Sequence, residues 1–148
     1  IFNESNKDWE SSLTHNEFEV YSKTNIQTIK IDTLVKDHDL DDFKIIIKLD
    51  IEGNEMRALQ GSINLIKRAS PLIIIEFSKY IFNRDDNIEY LKNFLFEYDY
   101  EIYNINNNKQ TLDNILLQIN NLKEKHKTIG NFYLIKNDPK IHKELFYE

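Results

Sequence analysis

Five charged side chains set in apolar surroundings are the strongest chemical signal in the sequence. Lys48, Asp50, Glu52 and Glu55 fall within K-L-D-I-E-G-N-E, and Glu76 follows three isoleucines in L-I-I-I-E-F. In a strand, side chains alternate, so Lys48, Asp50 and Glu52 share one side. Unpaired charges are expensive to bury, which places the group at a strand end that solvent can reach. Carboxylates there can take a proton from a hydroxyl or hold a cation. A structural reading accounts for the same residues. Glu55 would cap a helix start, where the helix dipole favours negative charge, and Lys48 would pair with Asp50. Spacing alone leaves both readings open. Glu76 faces the same cleft if its strand neighbours that of Asp50.

The remaining polar residues carry less chemistry. Asp32 reads as the N-cap of a short helix. The run Asp37, Asp39, Asp41, Asp42 lacks the glycine and terminal glutamate of a calcium loop and reads as a solvated loop. His15, His38, His126 and His142 are too scattered for a histidine metal site, so no metal is expected. His15 lies in an irregular segment that could fold over the cleft. Neither Ser11 nor Ser12 sits in a nucleophile elbow. No G-x-G-x-x-G and no P-loop occurs.

The elements that must hold these residues follow from periodicity. Residues 1–16 have no clear period. Glu17–Lys23 alternates and reads as a half-buried strand, Ile26–Ile31 as a second short strand, and Asp32–Leu40 as a short helix. Lys44–Ile51 is apolar on both faces and β-branched, as in a central strand covered on both sides. Met56, Leu59, Ile63 and Ile66 share one face of a helix that starts at Gly53 or Asn54 and contains Gly61. A glycine inside a helix costs about 1 kcal/mol, and close packing of helix on sheet would explain it. Pro71 stops that helix, and Leu72–Phe77 is the next central strand. Asp86 and Glu89 signal the start of a helix with Ile88, Leu91, Leu95 and Tyr98 buried. Tyr100–Ile105 is a third strand. Leu112, Ile115, Leu116, Ile119 and Leu122 mark a helix, Asn131–Lys136 a fourth strand, and Pro139 opens a last helix. Alternating strands and helices predict an α/β, Rossmann-like, mainly parallel sheet with helices on both faces. Ligands bind at the carboxyl ends of such strands, just after Ile51 and Phe77.

Composition sets the outer bounds. The chain has 148 residues, 41% hydrophobic and 30% charged, which suits a single globular domain over 1–148. Its net charge of −6 argues against a nucleic-acid partner, which would need a basic face. No apolar run approaches the roughly 20 residues of a membrane span. Zero cysteines exclude disulfides, a thiol nucleophile and cysteine-ligated zinc. They fit a reducing, cytoplasmic compartment.

Three ordered pieces resemble the FkbM-type methyltransferase family. They are I-K-I-D-T-L (Ile29–Leu34), I-I-I-K-L-D-I-E-G-N-E-M-R-A-L-Q-G-S (Ile45–Ser62) and P-L-I-I-I-E-F (Pro71–Phe77), with a Ser-Ser-Leu feature upstream at Glu10–Leu13. The resemblance spans roughly residues 10–136. It implies a class I fold that uses S-adenosylmethionine and methylates oxygen, often a hydroxyl on a sugar or other small metabolite. By the same resemblance Asp50 and Glu52 line the reaction centre and Lys48 orients them. Glu76 completes the acceptor side, and Glu55 helps fix the turn beside it. The family's first strands and its glycine-rich donor-binding turn have no counterpart and are expected upstream of Ile1. The chain therefore reads as the C-terminal part of the domain, inactive by itself if the donor site is incomplete.

Two rival readings make different demands. A non-catalytic binding or assembly module predicts an exposed apolar sheet edge, through which a homodimer would form. A Mg²⁺-dependent hydrolase requires Asp50, Glu52 and Glu76 to converge within a few ångströms.

Overall fold

The computed structural model describes residues 2–5, 20–123 and 127–146. Glu10–Leu13, His15, the first residues of the Glu17–Lys23 strand and His126 lie outside them. Two short strands, β1 (Phe2–Ser5) and β2 (Val20–Thr24), pair antiparallel. Then come α1 (Ile31–Val35), β3 (Ile46–Leu49), α2 (Glu55–Gln60), α3 (Ile63–Ala69), β4 (Leu72–Ser78), α4 (Lys79–Phe82) and α5 (Asp85–Glu97). The chain continues with β5 (Tyr100–Asn104), β6 (Lys109–Gln110), α6 (Leu112–Asn120), β7 (Thr128–Lys136) and α7 (Pro139–Phe146). No helix among the described residues is long and apolar enough to cross a membrane.

The main sheet has five strands in the order β3-β4-β7-β5-β6. Among the described residues only β3 and β4 pair parallel; β7 runs antiparallel between β4 and β5, and β6 is antiparallel to β5. The expectation of a mainly parallel sheet is thus corrected. The cause is a hairpin at Asn104–Lys109. The Asn104 side chain accepts from the Asn106 and Asn108 amides, both at 3.0 Å, and Asn107 takes a left-handed φ of 61°. Asparagine tolerates that conformation better than most residues. The hairpin reverses the chain, so the crossover through α6 returns β7 against β4 and β5. The three strands β3, β4 and β5 still point the same way.

Strand register builds the core. Ile47 and Leu49 stand opposite Ile73 and Ile75, which stand opposite Leu134 and Phe132, and Ile102 adjoins Leu134. All are buried on one face, in one cluster with Met56, Leu59, Leu65, Ile66, Leu91 and Phe94. Successive right-handed crossovers moving in one direction put their helices on one face, which is why this face is so well covered. On the other face, His142 of α7 meets the Tyr103 ring edge-on at 5.6 Å. Near β3 that second face is open, and Ile46 is 62% exposed. The expectation that β3 is covered on both sides is therefore also corrected. Among the described residues it pairs on one side only, and its side chains alternate exposed and buried.

Two local expectations change for one reason. Residues 25–30 form no strand, and Ile26 and Ile29 face solvent. Asp32 does not cap its own helix, whose N-cap position is Lys30. Instead its carboxylate accepts from the Asn64 and Leu65 amides at 3.0 and 2.9 Å, capping α3. Its own amide donates to Gly61 O at 2.8 Å. These bonds pin the segment over the helices. Gly61 ends α2, so the single helix read across it is two. A Cβ there would meet Lys30 Cβ at 3.5 Å, an ordinary contact with the pinned segment and not with the sheet.

Candidate active site

The parallel pair β3 and β4 brings the charged residues together. Leu49 pairs with Ile75, so Asp50, the first residue past β3, comes beside Glu76, which is still in β4 opposite Asn131 of β7 near the sheet's carboxyl end. Lys48 Nζ donates to Asp50 Oδ2 at 2.6 Å. Both side chains stay about half exposed, so the pair adds under about 1 kcal/mol to stability.

Glu55 is different in kind. It opens α2 and is 1% exposed. Its Oε1 accepts from the Ile51 amide at 3.0 Å and the Gly53 amide at 3.3 Å. Those bonds close the turn in which Glu52 and Gly53 both take positive φ, 54° and 92°. Gly53 meets this at no steric cost; Glu52 does not. Glu55 Oε2 is buried without a hydrogen-bond partner. Burial holds the Glu55 carboxyl above the usual glutamate range. The backbone amides of Glu55, Ile51 and Gly53 pull it down, and the nearby charge of Glu76 adds to the rise.

Glu76 is half-buried, and burial raises its pKa as well. The Thr128 side chain opposes that rise by hydrogen bonding, Asp50 adds to it, and Lys48 reduces it. Lys48, Asp50, Glu76 and Glu55 thus form one electrostatic group. Glu52 sits on the adjoining turn, half-buried. Among the described residues no three His, Asp or Glu side chains are placed to hold a metal ion. The convergence that the Mg²⁺ hydrolase reading requires is not found.

Thr128 is the residue that sequence reasoning missed. Its hydroxyl lies 3.1 Å from Phe77 O, which competes with Glu76 for its one proton, and it stands opposite Ser78 in the ladder. Its approach to Glu76 depends on β7 running antiparallel beside β4, which no local pattern signals.

The family model of the methyltransferase FkbM domain matches residues 1–102. The chain belongs to the FkbM methyltransferase domain family. No curated protein and no solved structure matches it. The FkbM match takes in β3, β4 and every carboxylate of the group, and it ends within β5, before Thr128. A pocket of about 280 Å³ lined by Lys67, Tyr98, Tyr100 and Lys136 lies at the opposite, amino end of the sheet. Its Lys136 Nζ already donates to Tyr98 O at 2.6 Å, and the carboxylate that lines it is Glu97, not one of the group at the other end.

Proposed function

We propose that the protein of which this chain is a part transfers a methyl group from S-adenosylmethionine to a hydroxyl of a small metabolite, a sugar being the favoured class. Family membership supports methyl transfer. The observation that carries the site is the half-buried Glu76 carboxylate beside Asp50 at the carboxyl ends of two parallel strands. The residues present suit only the cationic sulfonium end of the donor, through the negative potential of Glu76, Asp50 and Glu55. None of them cradles its nucleoside. When bound, the donor supplies an electrophilic methyl group.

The chain's own residues do the rest. Lys48 fixes the Asp50 carboxylate, and Asp50 orients the acceptor hydroxyl. Glu76 takes the proton that the oxygen must lose. The resemblance puts Asp50 and Glu52 at the reaction centre and leaves open which carboxylate takes that proton. The raised Glu76 pKa lies nearer neutrality and so matches a general base better, while Asp50 is committed to Lys48. Glu52 flanks the acceptor from the turn. Glu55 does not touch the acceptor; it holds the turn that positions Glu52.

The test is calorimetric titration of S-adenosylhomocysteine into the chain and into a form extended upstream. Methyl transfer to a panel of sugars is then read by product mass. Donor binding with transfer reduced about 10²-fold or more by Glu76→Gln supports the reading. Absence of donor binding by either form removes it.

A second reading, an assembly module without catalysis, has one specific observation in its favour: the exposed apolar side chains of Phe43 and Ile46 beside β3, which among the described residues pairs on one side only.

A further inference from the structure

The pairing of β4 with β7 sets a second polar side chain beside Glu76. Glu76 stands directly opposite Asn131, and such partners share a face of the sheet with Cβ atoms about 4.5–5.5 Å apart. The Glu76 carboxylate therefore has Asp50 on its β3 side and the Asn131 carboxamide on its β7 side. Asn131 is exposed, and it lies beyond the residues that the family model matches. Two residues back along β4 on the same face, Ile74 stands opposite Tyr133, and both are half-buried. A polar row thus adjoins an apolar one. Just beyond the Glu76–Asn131 pair the ladder is irregular at Phe77/Ser78, and Gly130 takes a φ of 99°, which suits glycine alone. Irregularities of this kind bend a strand and re-aim its side chains beside active sites. The placement depends on two strands paired within the chain.

We propose that Asn131 selects the acceptor: its carboxamide holds the hydroxyl next to the one that Glu76 deprotonates, so the acceptor is a ring carrying vicinal hydroxyls, laid against Tyr133 and Ile74. The inference rests on the methyl-transfer reading and names the acceptor chemistry of that site. The reacting oxygen gives its proton to Glu76 and bonds to the methyl carbon, whose bond to sulfur breaks. An amide N–H donated to that oxygen would hold back the lone pair that must attack. A neighbouring hydroxyl meets no such conflict. It is both donor and acceptor, as a carboxamide is, so it can donate to Asn131 Oδ1 or accept from Nδ2. Charge points the same way. A carboxylate at this position would compete with Glu76 for the proton, whereas a neutral amide binds a hydroxyl and leaves the transfer alone. The apolar row supplies the rest. An aromatic and an aliphatic side chain suit the C–H face of a saturated ring, while a few placed polar groups fix its orientation through the hydroxyls on its rim.

The test is methyl transfer by the form extended upstream, read by product mass. The probes are methyl glycopyranosides, the same compounds lacking one hydroxyl at a time, and 1,2-cyclohexanediol against cyclohexanol. Removing a hydroxyl adjacent to the methylated one should raise KM about tenfold or more, and removing a distant one should not. Asn131→Ala should raise KM for the intact acceptor by a similar factor. It should hardly change KM for the adjacent-deoxy compound, because both changes delete the same contact. Calorimetric titration of S-adenosylhomocysteine into the variant should match wild type, which shows that it folds and keeps its donor site. The deoxy series in wild type reads the same contact without a variant. Sugars favoured over 1,2-cyclohexanediol identify the source of the diol as a carbohydrate, and the reverse order as a carbocycle. The proposal is overturned if Asn131→Ala acts equally on intact and deoxy acceptors, or if cyclohexanol serves as well as the diol. Donor binding without transfer to any probe overturns it too. In these cases donor binding persists. Its absence from wild type instead removes the methyl-transfer reading, and this inference with it.

Discussion

The two ends of the main sheet are built on opposite principles. At the amino end, two side-chain donors meet backbone carbonyls, while the Tyr90 hydroxyl beside Phe94 is buried without a partner among the described residues. Tyr100 OH donates to Pro71 O at 2.9 Å, and Lys136 Nζ to Tyr98 O at 2.6 Å. Phe94 packs against the Tyr98 and Tyr100 rings at 5.2 and 5.6 Å, and Lys67 Nζ lies 5.6 Å from the centre of the Tyr98 ring. At the carboxyl end, polarity is left unmatched. Glu55 Oε2 has no partner, Glu76 is pushed up by burial, and Glu52 holds a left-handed backbone. Left-handed backbone occurs at both ends, at Ser70 and Asp99 as at Glu52, so what sets the carboxyl end apart is its pair of buried carboxylates, Glu55 and Glu76. Departures from local consistency of that kind are where function is to be sought.

If that division holds, the largest loss of stability comes from the amino end. Phe94→Ala removes the ring that joins α5 to Tyr98 and Tyr100, and should cost about 3–5 kcal/mol in urea unfolding. A loss under about 1 kcal/mol would mean the aromatic cluster is not what holds this end. Tyr100→Phe keeps the packing and deletes one hydrogen bond, leaving the Pro71 carbonyl buried without its donor. About 1–3 kcal/mol is the expected loss. Burial pushes the Tyr100 hydroxyl well above the ordinary tyrosine range, so it stays protonated at working pH. The loss should therefore not vary between pH 5 and pH 8, and a pH-dependent loss would contradict the assigned bond.

The same contrast explains what the sequence made legible. The strands themselves were readable, because the β-branched runs at Ile45–Ile47 and Ile73–Ile75 are strand-sized and bounded by charge or proline, while which face is covered came from the structure. The charged group was readable too, since Lys48, Asp50 and Glu76 interrupt those runs at their ends. Long-range partnership was not. Asp32 looks like the cap of its own helix, yet it caps α3, some 32 residues on, because its segment is pinned against Gly61. The reversal at Asn104–Lys109 was hidden in an asparagine-rich stretch, and with it went the direction of β7 and the role of Thr128. The open side of β3 was misread because a β-branched run such as I-I-I looks the same on an edge as in the centre. Only its neighbours in space decide.

The smallest expected effect is also the one that best separates the two ends. Glu55→Gln keeps an oxygen to accept from the Ile51 and Gly53 amides and removes a charge that burial disfavours. Glu55 is raised above its unfolded value, so its contribution is fully present below the ordinary glutamate range and is lost as pH rises through the folded pKa. Wild type should therefore lose stability from this group as pH rises from the ordinary glutamate range through the raised folded value, and Glu76, raised in the same sense, adds to that fall. The glutamine variant cannot ionise. It should match wild type at the acidic end of the range and exceed it by about 1 kcal/mol at neutral pH, the low end of the cost of an unpaired buried polar group. Thermal unfolding at several pH values measures this directly. A variant less stable than wild type at neutral pH would show that the turn needs the charged carboxylate. Its two amide bonds would then outweigh burial, and the strain assigned to this end would rest on the left-handed backbone of Glu52 alone.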